Sequence, residues 1–212
     1  MKGSTHLTIG TAIGIGAAAV YSHSLTQAAL LITAASFSAL AADLDGASLL
    51  SSKLSKVSRV IRILAPWAGV LAVVALVLYG TRNGFAPLPS AAAVALLLLG
   101  LTAKEGAIRN ALVSAIGCAL LYAAWMGDSR GLLGLGAFVV IAPWLKHRGL
   151  THTIWALALW AAIGRQLEAE WAIPGLAAAS AAGYLSHLAA DTLTPSGVKW
   201  LSPLVKKSFK LR

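Results

Sequence analysis

The sequence predicts an all-α membrane protein: a polytopic bundle of about eight transmembrane helices forming a single integral-membrane domain over residues 1–212. Hydrophobic residues make up 58% of the 212 positions and charged residues only 11%. Soluble domains are about half apolar and about a quarter charged. The mean hydropathy is +0.78. Because the apolar residues form long runs and not short alternating segments, a helical bundle is predicted and a transmembrane barrel is excluded.

Eight apolar segments account for the predicted helices. They cover residues 7–21, 26–42, 63–80, 88–102, 110–126, 132–145, 153–164 and 172–190. A helix needs about 20 residues to cross a hydrocarbon core of about 30 Å, so we expect flanking residues to lengthen the shorter segments. Glycine and alanine are dense in the first and last segments. This composition lets helix backbones approach one another closely in lipid.

A basic interfacial helix is predicted near residues 49–64, between the second and third segments. Its apolar residues recur at steps of four and three, at Leu50, Leu54, Val57, Ile61 and Leu64. Basic residues occupy the remaining face, at Lys53, Lys56, Arg59 and Arg62. The pattern indicates a helix lying in the headgroup layer against an anionic lipid surface. An ordinary connector with snorkelling side chains fits the pattern equally well.

The distribution of lysine and arginine predicts the orientation. With eight crossings and a cytoplasmic N-terminus, all but three of the 17 lysines and arginines face the cytoplasm. This positive-inside bias places both termini in the cytoplasm. The net charge of +10 is therefore attributed to orientation and anionic lipid. No nucleic-acid partner is predicted, because stacking aromatic residues are not interleaved with the basic ones.

The same topology places most titratable residues on the cytoplasmic side. They are His6, Asp43, Asp45, Glu105, His147, His152, His187 and Asp191. His187 and Asp191 are four residues apart and share a helix face. Asp43 and Asp45 end an apolar segment, where carboxylates are costly unless they are paired or coordinate an ion. Each pair alone also fits a hydrogen-bonded pair or a solvated turn, but together they predict a metal site at the interface.

The segment His147-Arg-Gly-Leu-Thr-His152 predicts anion binding beside that site. Thr151 is expected to cap the next helix and to place His152 beside its exposed N–H groups, which suit a phosphate. Arg148 is a forked donor that matches phosphate oxygens.

Four imidazoles and three carboxylates form the predicted donor set. Mixed nitrogen and oxygen ligands suit zinc first, with manganese or iron as alternatives. Seven candidates exceed the three or four protein ligands of one catalytic zinc. We therefore expect either two ions, or one ion with a general base and supporting residues.

Several motifs resemble the predicted membrane-bound metal-dependent hydrolases, the YdjM-like family of bacterial inner-membrane proteins. They are Met1-Lys-Gly-Ser-Thr-His6, Ala42-Asp-Leu-Asp45, His147-Arg-Gly-Leu-Thr-His-Thr153, Gly183-Tyr-Leu-Ser-His187 and Asp191-Thr-Leu-Thr-Pro-Ser-Gly197. The resemblance covers most of the chain and departs from the family at Ala42, where a proline is usual. It implies a multi-pass protein of the bacterial inner membrane with a histidine and aspartate metal centre and hydrolytic activity. On the matching positions it implies the ligands His6, Asp43, His152, His187 and Asp191.

The leading functional hypothesis is a metal-dependent hydrolase that cleaves a phosphate ester or phosphodiester of a membrane lipid at the cytoplasmic face. Asp45 or His147 is expected to take the proton, and Arg148 to stabilise the phosphate charge. Arg148, Thr151 and Thr194 are the predicted substrate-binding residues. The alternatives are a transporter of metal ions or protons, and a membrane protein whose metal is purely structural. The sequence predicts no particular oligomeric state.

Overall fold

The computed structural model describes residues 1–46, 48–205 and 207–210. These residues form eight α-helices: α1 Gly3–Tyr21, α2 Leu25–Ala41, α3 Ser52–Asn83, α4 Pro87–Thr102, α5 Glu105–Met126, α6 Arg130–Ile141, α7 Ile154–Trp171 and α8 Leu176–Thr192. Short 3-10 turns cover Ala42–Asp45, Ala142–Trp144 and Leu150–His152. Within the described residues, β-type pairing is confined to one bridge between Val198 and Phe209. The predicted all-α fold is confirmed.

Among the described residues, three stretches are long and apolar enough to cross a membrane, judged by length and composition. They are Leu25–Asp45, Ser52–Asn83 and Glu105–Met126. Two shorter apolar stretches, Pro87–Thr102 and Arg130–Trp144, accompany them. The fold is that of a membrane helical bundle, while the number of crossings and the side on which the termini lie stay predictions.

The helices form two compact units. One comprises Met1–Ser51 together with Val113–Arg212, and the other comprises Ser52–Leu112. The division falls inside α5. All of the predicted site residues belong to the first unit.

In the Ser52–Leu112 unit, α3 and α4 pack antiparallel at two glycines. A Cβ atom on Gly69 would lie 2.5 Å from Cα of Leu97, and one on Gly100 would lie 2.7 Å from the nitrogen of Pro66. The basic segment near 49–64 does not form a helix of its own, and this detail of the prediction is wrong. From Ser52 it continues into the apolar segment as α3, because lysine, arginine and leucine all favour helix. Pro66 lies inside this helix and does not end it.

In the larger unit, α2 packs between α1 and α8. Gly10 of α1 faces α2, where its Cβ would lie 2.5 Å from the Ala39 side chain. Gly183 of α8 faces α2 as well, where its Cβ would meet the Ala35 carbonyl oxygen. The dense packing predicted for the small residues of the first and last segments is confirmed, and it draws both helices onto α2 near the site.

Aromatic side chains fill the interior between α2, α6, α7 and α8. The Trp160 ring lies 4.9 Å from the Phe138 ring and 5.4 Å from the Tyr184 ring, measured between centroids. The indole N–H of Trp160 donates to Ser38 Oγ at 2.9 Å. This hydrogen bond satisfies the one polar atom of a buried indole, as an apolar surrounding requires.

The seventh helix is longer than predicted. It continues beyond residue 164 to Trp171, because arginine, glutamine, leucine and glutamate extend a helix even where they lower the hydropathy. It ends where Ala172 adopts a left-handed backbone with φ of 51°. Gly175, with φ of 82°, then completes the turn into α8.

Candidate metal centre

The predicted imidazoles and carboxylates meet at one end of the larger unit. Four separate parts of the chain supply them: the first turns of α1, the turn after α2, the loop before α7, and the end of α8. The residues that the structure brings together are His6, Asp43, Asp45, His147, Arg148, Thr151, His152, His187 and Asp191. Residues far apart in sequence thus form one polar cluster in an otherwise apolar bundle.

Three of the ligands implied by the resemblance form a nearly regular triangle. Nε2 of His152 and Nε2 of His187 are 3.3 Å apart, and each lies 3.5 Å from Oδ1 of Asp43. Two ligand atoms bound to one tetrahedral zinc at about 2.0–2.1 Å are about 3.3–3.4 Å apart. The triangle therefore has the dimensions of one face of a zinc coordination shell.

Asp191 and His6 extend this triangle. Oδ2 of Asp191 lies 3.8 Å from Nε2 of His152 and 3.9 Å from Nε2 of His187, and Oδ1 lies 3.4 Å from Nε2 of His6. The His6 ring stacks on the His187 ring at a centroid distance of 3.9 Å. Nδ1 of His6 is buried and lacks a hydrogen-bond partner among the residues that the structure describes. The five implied ligands therefore form two adjoining groups, His6–His187–Asp191 and Asp43–His152–His187, which share His187.

Hydrogen bonds orient both central imidazoles. Nδ1 of His187 donates to the Ala39 carbonyl oxygen at 2.7 Å, which is possible because Gly183, one turn earlier, lets α8 lie directly on α2. Nδ1 of His152 lies 3.0 Å from the Thr151 hydroxyl, which itself donates to Asp45. A ring nitrogen that donates leaves the lone pair on the other nitrogen. Both Nε2 lone pairs therefore point at the same place, as in metal sites with oriented histidines.

The donor chemistry and burial of the cluster fit a divalent transition metal. The side chains of His6, His152, His187 and Asp191 are buried, and that of Asp43 is 20% exposed. Facing lone pairs and several carboxylates in an apolar interior are costly unless a positive charge lies between them. Mixed imidazole and carboxylate ligands suit zinc, manganese or iron.

The electrostatic environment of His152 favours positive charge. Burial lowers the pKa of its imidazole, but hydrogen bonds with Asp43 and Asp45 outweigh burial and raise the pKa to about 9. A ligating imidazole must be neutral, so a bound metal ion would replace this proton.

Asp45 organises the loop before α7. Its two oxygens accept hydrogen bonds from Nδ1 of His147 at 2.8 Å, the Arg148 backbone N–H at 3.0 Å and the Thr151 hydroxyl at 2.6 Å. Its side chain is fully buried. The neighbouring Gly46 makes room for this arrangement, because a Cβ there would lie 2.9 Å from Nδ1 of His147.

His147 is the more accessible of the two predicted proton acceptors. Its side chain is 56% exposed. Because Nδ1 donates to Asp45, the lone pair lies on Nε2. Asp45 therefore positions the His147 ring through Nδ1 and leaves Nε2 outside this hydrogen bond.

Arg148 connects the loop to the centre. Its backbone adopts a left-handed conformation with φ of 56°, which is uncommon for a residue with a side chain and is often retained at functional sites. Its Nη2 lies 3.1 Å from Oδ2 of Asp191, and the amino group of Met1 lies 2.6 Å from Oδ1. Asp191 is thus bordered by cationic groups on both oxygens.

The two threonines predicted to bind substrate have other partners. Thr151 is buried and its hydroxyl lies between His152 and Asp45, so this geometry favours a positioning role. The prediction that Thr151 caps the next helix is wrong, since Thr153 is the N-cap of α7 and accepts from the Ala156 N–H. Thr194, half-buried, donates to the Asp191 carbonyl oxygen at 2.7 Å.

Tyr184 is a supporting residue that sequence reasoning missed. Its hydroxyl donates to the Thr151 carbonyl oxygen, and its ring is completely buried. Its position three residues before His187, on the same helix face, was the available signal. It anchors the loop that carries His152 to the helix that carries His187.

A polar pocket of about 330 Å³ opens onto the candidate centre. Asp43 and Asp191 line it together with His147 and Arg148. The candidate centre therefore has buried potential ligands on one side and a pocket on the side where His147 and Arg148 lie.

Comparison with known proteins identifies relatives of the chain. The family model described as "YdjM inner membrane protein" matches residues 1–212. The "Inner membrane protein YdjM" of Escherichia coli (strain K12) is 45% identical over 65 residues, which is 30% of this chain and 33% of that protein. The protein of the same name from Shigella flexneri matches to the same extent. The matched part thus spans about a third of the length of these relatives. No solved structure matches the chain.

Proposed function

This chain belongs to the YdjM inner membrane protein family, and we propose that it acts in the inner membrane as a metal-dependent hydrolase. In this proposal it cleaves a phosphate ester or phosphodiester of a lipid at the cytoplasmic face. The observation that carries the proposal is the polar pocket, in which two implied metal ligands, an oriented histidine and an arginine line the same space.

The metal would be held by His6, Asp43, His152, His187 and Asp191. When bound, a divalent ion lowers the pKa of a water molecule toward 7 and polarises a phosphoryl oxygen. Two groups of potential ligands, His6–His187–Asp191 and Asp43–His152–His187, both contain His187. Because they share this residue, they support one ion more directly than two.

His147 is proposed to accept the proton of the attacking water. Asp45 holds Nδ1 of the ring, so Nε2 is the basic atom, and His147 also lines the pocket. A histidine oriented by a buried carboxylate is an effective general base, because the carboxylate stabilises the imidazolium that forms.

Arg148 is proposed to bind the negative charge that develops on the phosphate. Its guanidinium contacts Asp191 through Nη2 and has further N–H donors. A fixed cationic donor beside the reacting phosphate stabilises the transition state more than the ground state.

An apolar cleft supports a lipid as the substrate. The cleft, of about 360 Å³, is lined by residues of α6 and α7 together with Leu150 and Thr151, and Thr151 contacts Asp45. Phe138, Leu159 and Ala137 are among its lining residues. An acyl or polyprenyl chain in this cleft would bring its headgroup to the loop that carries His147.

The test is turnover by the purified protein in detergent. Metal-stripped and metal-reloaded protein would be assayed on a panel of phospholipids and polyprenyl phosphates, with phosphate or alcohol release as the readout. Hydrolysis that requires the metal supports the proposal. A transporter would instead move metal across reconstituted vesicles without hydrolysing any member of the panel, and a purely structural metal would stabilise folding without turnover.

The Ala137→Trp substitution should block the cleft selectively. We expect turnover of a long-chain lipid to fall about 10-fold, because the indole fills space needed by the chain. Turnover of the short soluble diester bis-p-nitrophenyl phosphate should stay within twofold. Ala123→Trp, on the exposed side of α5, is the matched control. An equal loss on both substrates would contradict a role for the cleft in binding lipid.

A further inference from the structure

A second polar pocket lies against the His147–Arg148 segment. It measures about 460 Å³ and is lined by Lys146, His147, Arg148, Gly149, Ser196, Gly197, Lys199, Ser202 and Ser208. Three of these residues are cationic and three carry hydroxyl groups. Among the described residues that line the pocket, none is a carboxylate.

The wall of this pocket formed by the chain after α8 is held by backbone hydrogen bonds. Val198 and Phe209 exchange two backbone hydrogen bonds, at 2.9 and 2.8 Å. Gly197 permits this close approach, since its φ is +62° and a Cβ would clash with the Phe209 carbonyl oxygen. Ser208 donates to the Ser196 carbonyl oxygen at 2.9 Å. The chain after α8 therefore folds back on itself and holds Ser196 and Lys199 in place.

This wall is also fixed to the helices that bear the candidate centre. The Ile154 N–H, at the start of α7, donates to the Trp200 carbonyl oxygen at 2.9 Å. The Trp200 indole donates to the Thr192 hydroxyl, at the end of α8, at 2.9 Å. The position of Lys199 is thereby tied to the helix ends next to His152 and Asp191.

The two pockets share two residues but differ in charge. The first contains the carboxylates of Asp43 and Asp191 and is suited to a cation. The second is lined by two lysines, Arg148 and three serines, together with His147 and two glycines, and is suited to an anion. His147 and Arg148 line both, so a molecule held in the second pocket would lie directly beside the candidate metal centre.

We propose that the second pocket is an anion subsite that binds a phosphate group through Lys146, Arg148 and Lys199. A single phosphate carries up to two negative charges and accepts several hydrogen bonds, which matches lysine, arginine and serine donors. One consequence rests on the proposed function: the lipid substrate carries a second phosphate group besides the phosphate ester that is cleaved.

The test measures pyrophosphate binding to metal-stripped full-length protein in detergent by isothermal titration calorimetry. We expect Lys199→Gln and Lys146→Gln each to weaken binding at least fivefold, and added salt to weaken it further. Lys207→Gln, an exposed lysine of the same C-terminal stretch outside the pocket, should change binding less than twofold. Absence of pyrophosphate binding, or an equal loss in the Lys207 variant, would overturn the proposal.

Two further experiments complete the test. The first distinguishes a lipid headgroup from a free phosphate as the ligand, and the second distinguishes failure of the subsite from failure of the proposed hydrolase. If the pocket binds lipid headgroups, micelles doped with phosphatidate or polyprenyl diphosphate should displace the bound pyrophosphate. If the pocket binds free phosphates, only inorganic phosphate should displace it. Either displacement supports the subsite. Asp43→Ala should not weaken pyrophosphate binding by metal-stripped protein, because Asp43 lies outside this pocket. Failure of metal-dependent hydrolysis would therefore leave the subsite result standing, and the reverse also holds.

Discussion

Replacing His187 or Asp191 with alanine should remove the divalent metal and the activity together. We expect metal per protein, measured by plasma mass spectrometry after purification, to fall from near one to below about 0.1. Hydrolysis should fall to background. The reason is geometric: Nε2 of His187 and the carboxylate of Asp191 lie within 3.9 Å of each other, and both face His152. Loss of either leaves too few ligands to hold an ion against solvent.

His23→Ala is the matched control for this experiment. His23 is exposed in the turn between α1 and α2, away from the cluster, and its loss should change neither metal content nor activity. Because a buried variant can misfold, His187→Asn is added and helicity is checked by circular dichroism. Folded His187→Ala and Asp191→Ala proteins that keep stoichiometric metal would refute the ligand assignment.

His147→Gln should separate catalysis from metal binding. We expect turnover to fall about 10²- to 10⁴-fold, the usual contribution of a general base, while metal content stays near one. The side chain is half exposed and its ring contacts Asp45, so its removal leaves the five implied ligands in place. The measurement pairs steady-state kinetics with metal analysis on the same preparation.

Asp45→Asn tests the positioning role assigned to Asp45. The amide can still accept from Thr151, but it cannot stabilise a charged His147. We expect the Asp45 variant to lower the maximal rate in the same direction as His147→Gln, with KM for the lipid changed little. Unchanged turnover in His147→Gln would show that another group takes the proton.

Much of the candidate site was predictable because charge is expensive in an apolar chain. With only 11% charged residues, each histidine or aspartate at the end of an apolar segment needs a partner. Counting the segments as alternating crossings then predicts that these ends lie on the same side of the membrane. This reasoning reaches the wider set of four imidazoles and three carboxylates without any knowledge of packing, whereas the choice of five ligands among them came from the family resemblance. The structure places these five in adjoining groups of potential ligands.

The roles within the cluster were not predictable from sequence. Asp43 and Asp45 are two residues apart in the same short turn. Asp45 accepts three hydrogen bonds from the loop before α7, whereas Asp43 faces His152 and His187. The difference depends on how the 3-10 turn directs each carboxylate. Likewise, Thr151 and Thr153 are both reasonable caps, and only the actual start of α7 selects Thr153.

The sequence by itself determined the class of protein, the small-residue helix contacts and the membership of the polar cluster, because composition and hydropathy act locally and are independent of partners. Only the tertiary structure decided that Asp45 supports His147 and that the chain after α8 builds a cationic pocket beside the centre. These features arise from long-range contacts, such as Trp200 with α7 and α8, whose partners no local pattern in the chain specifies.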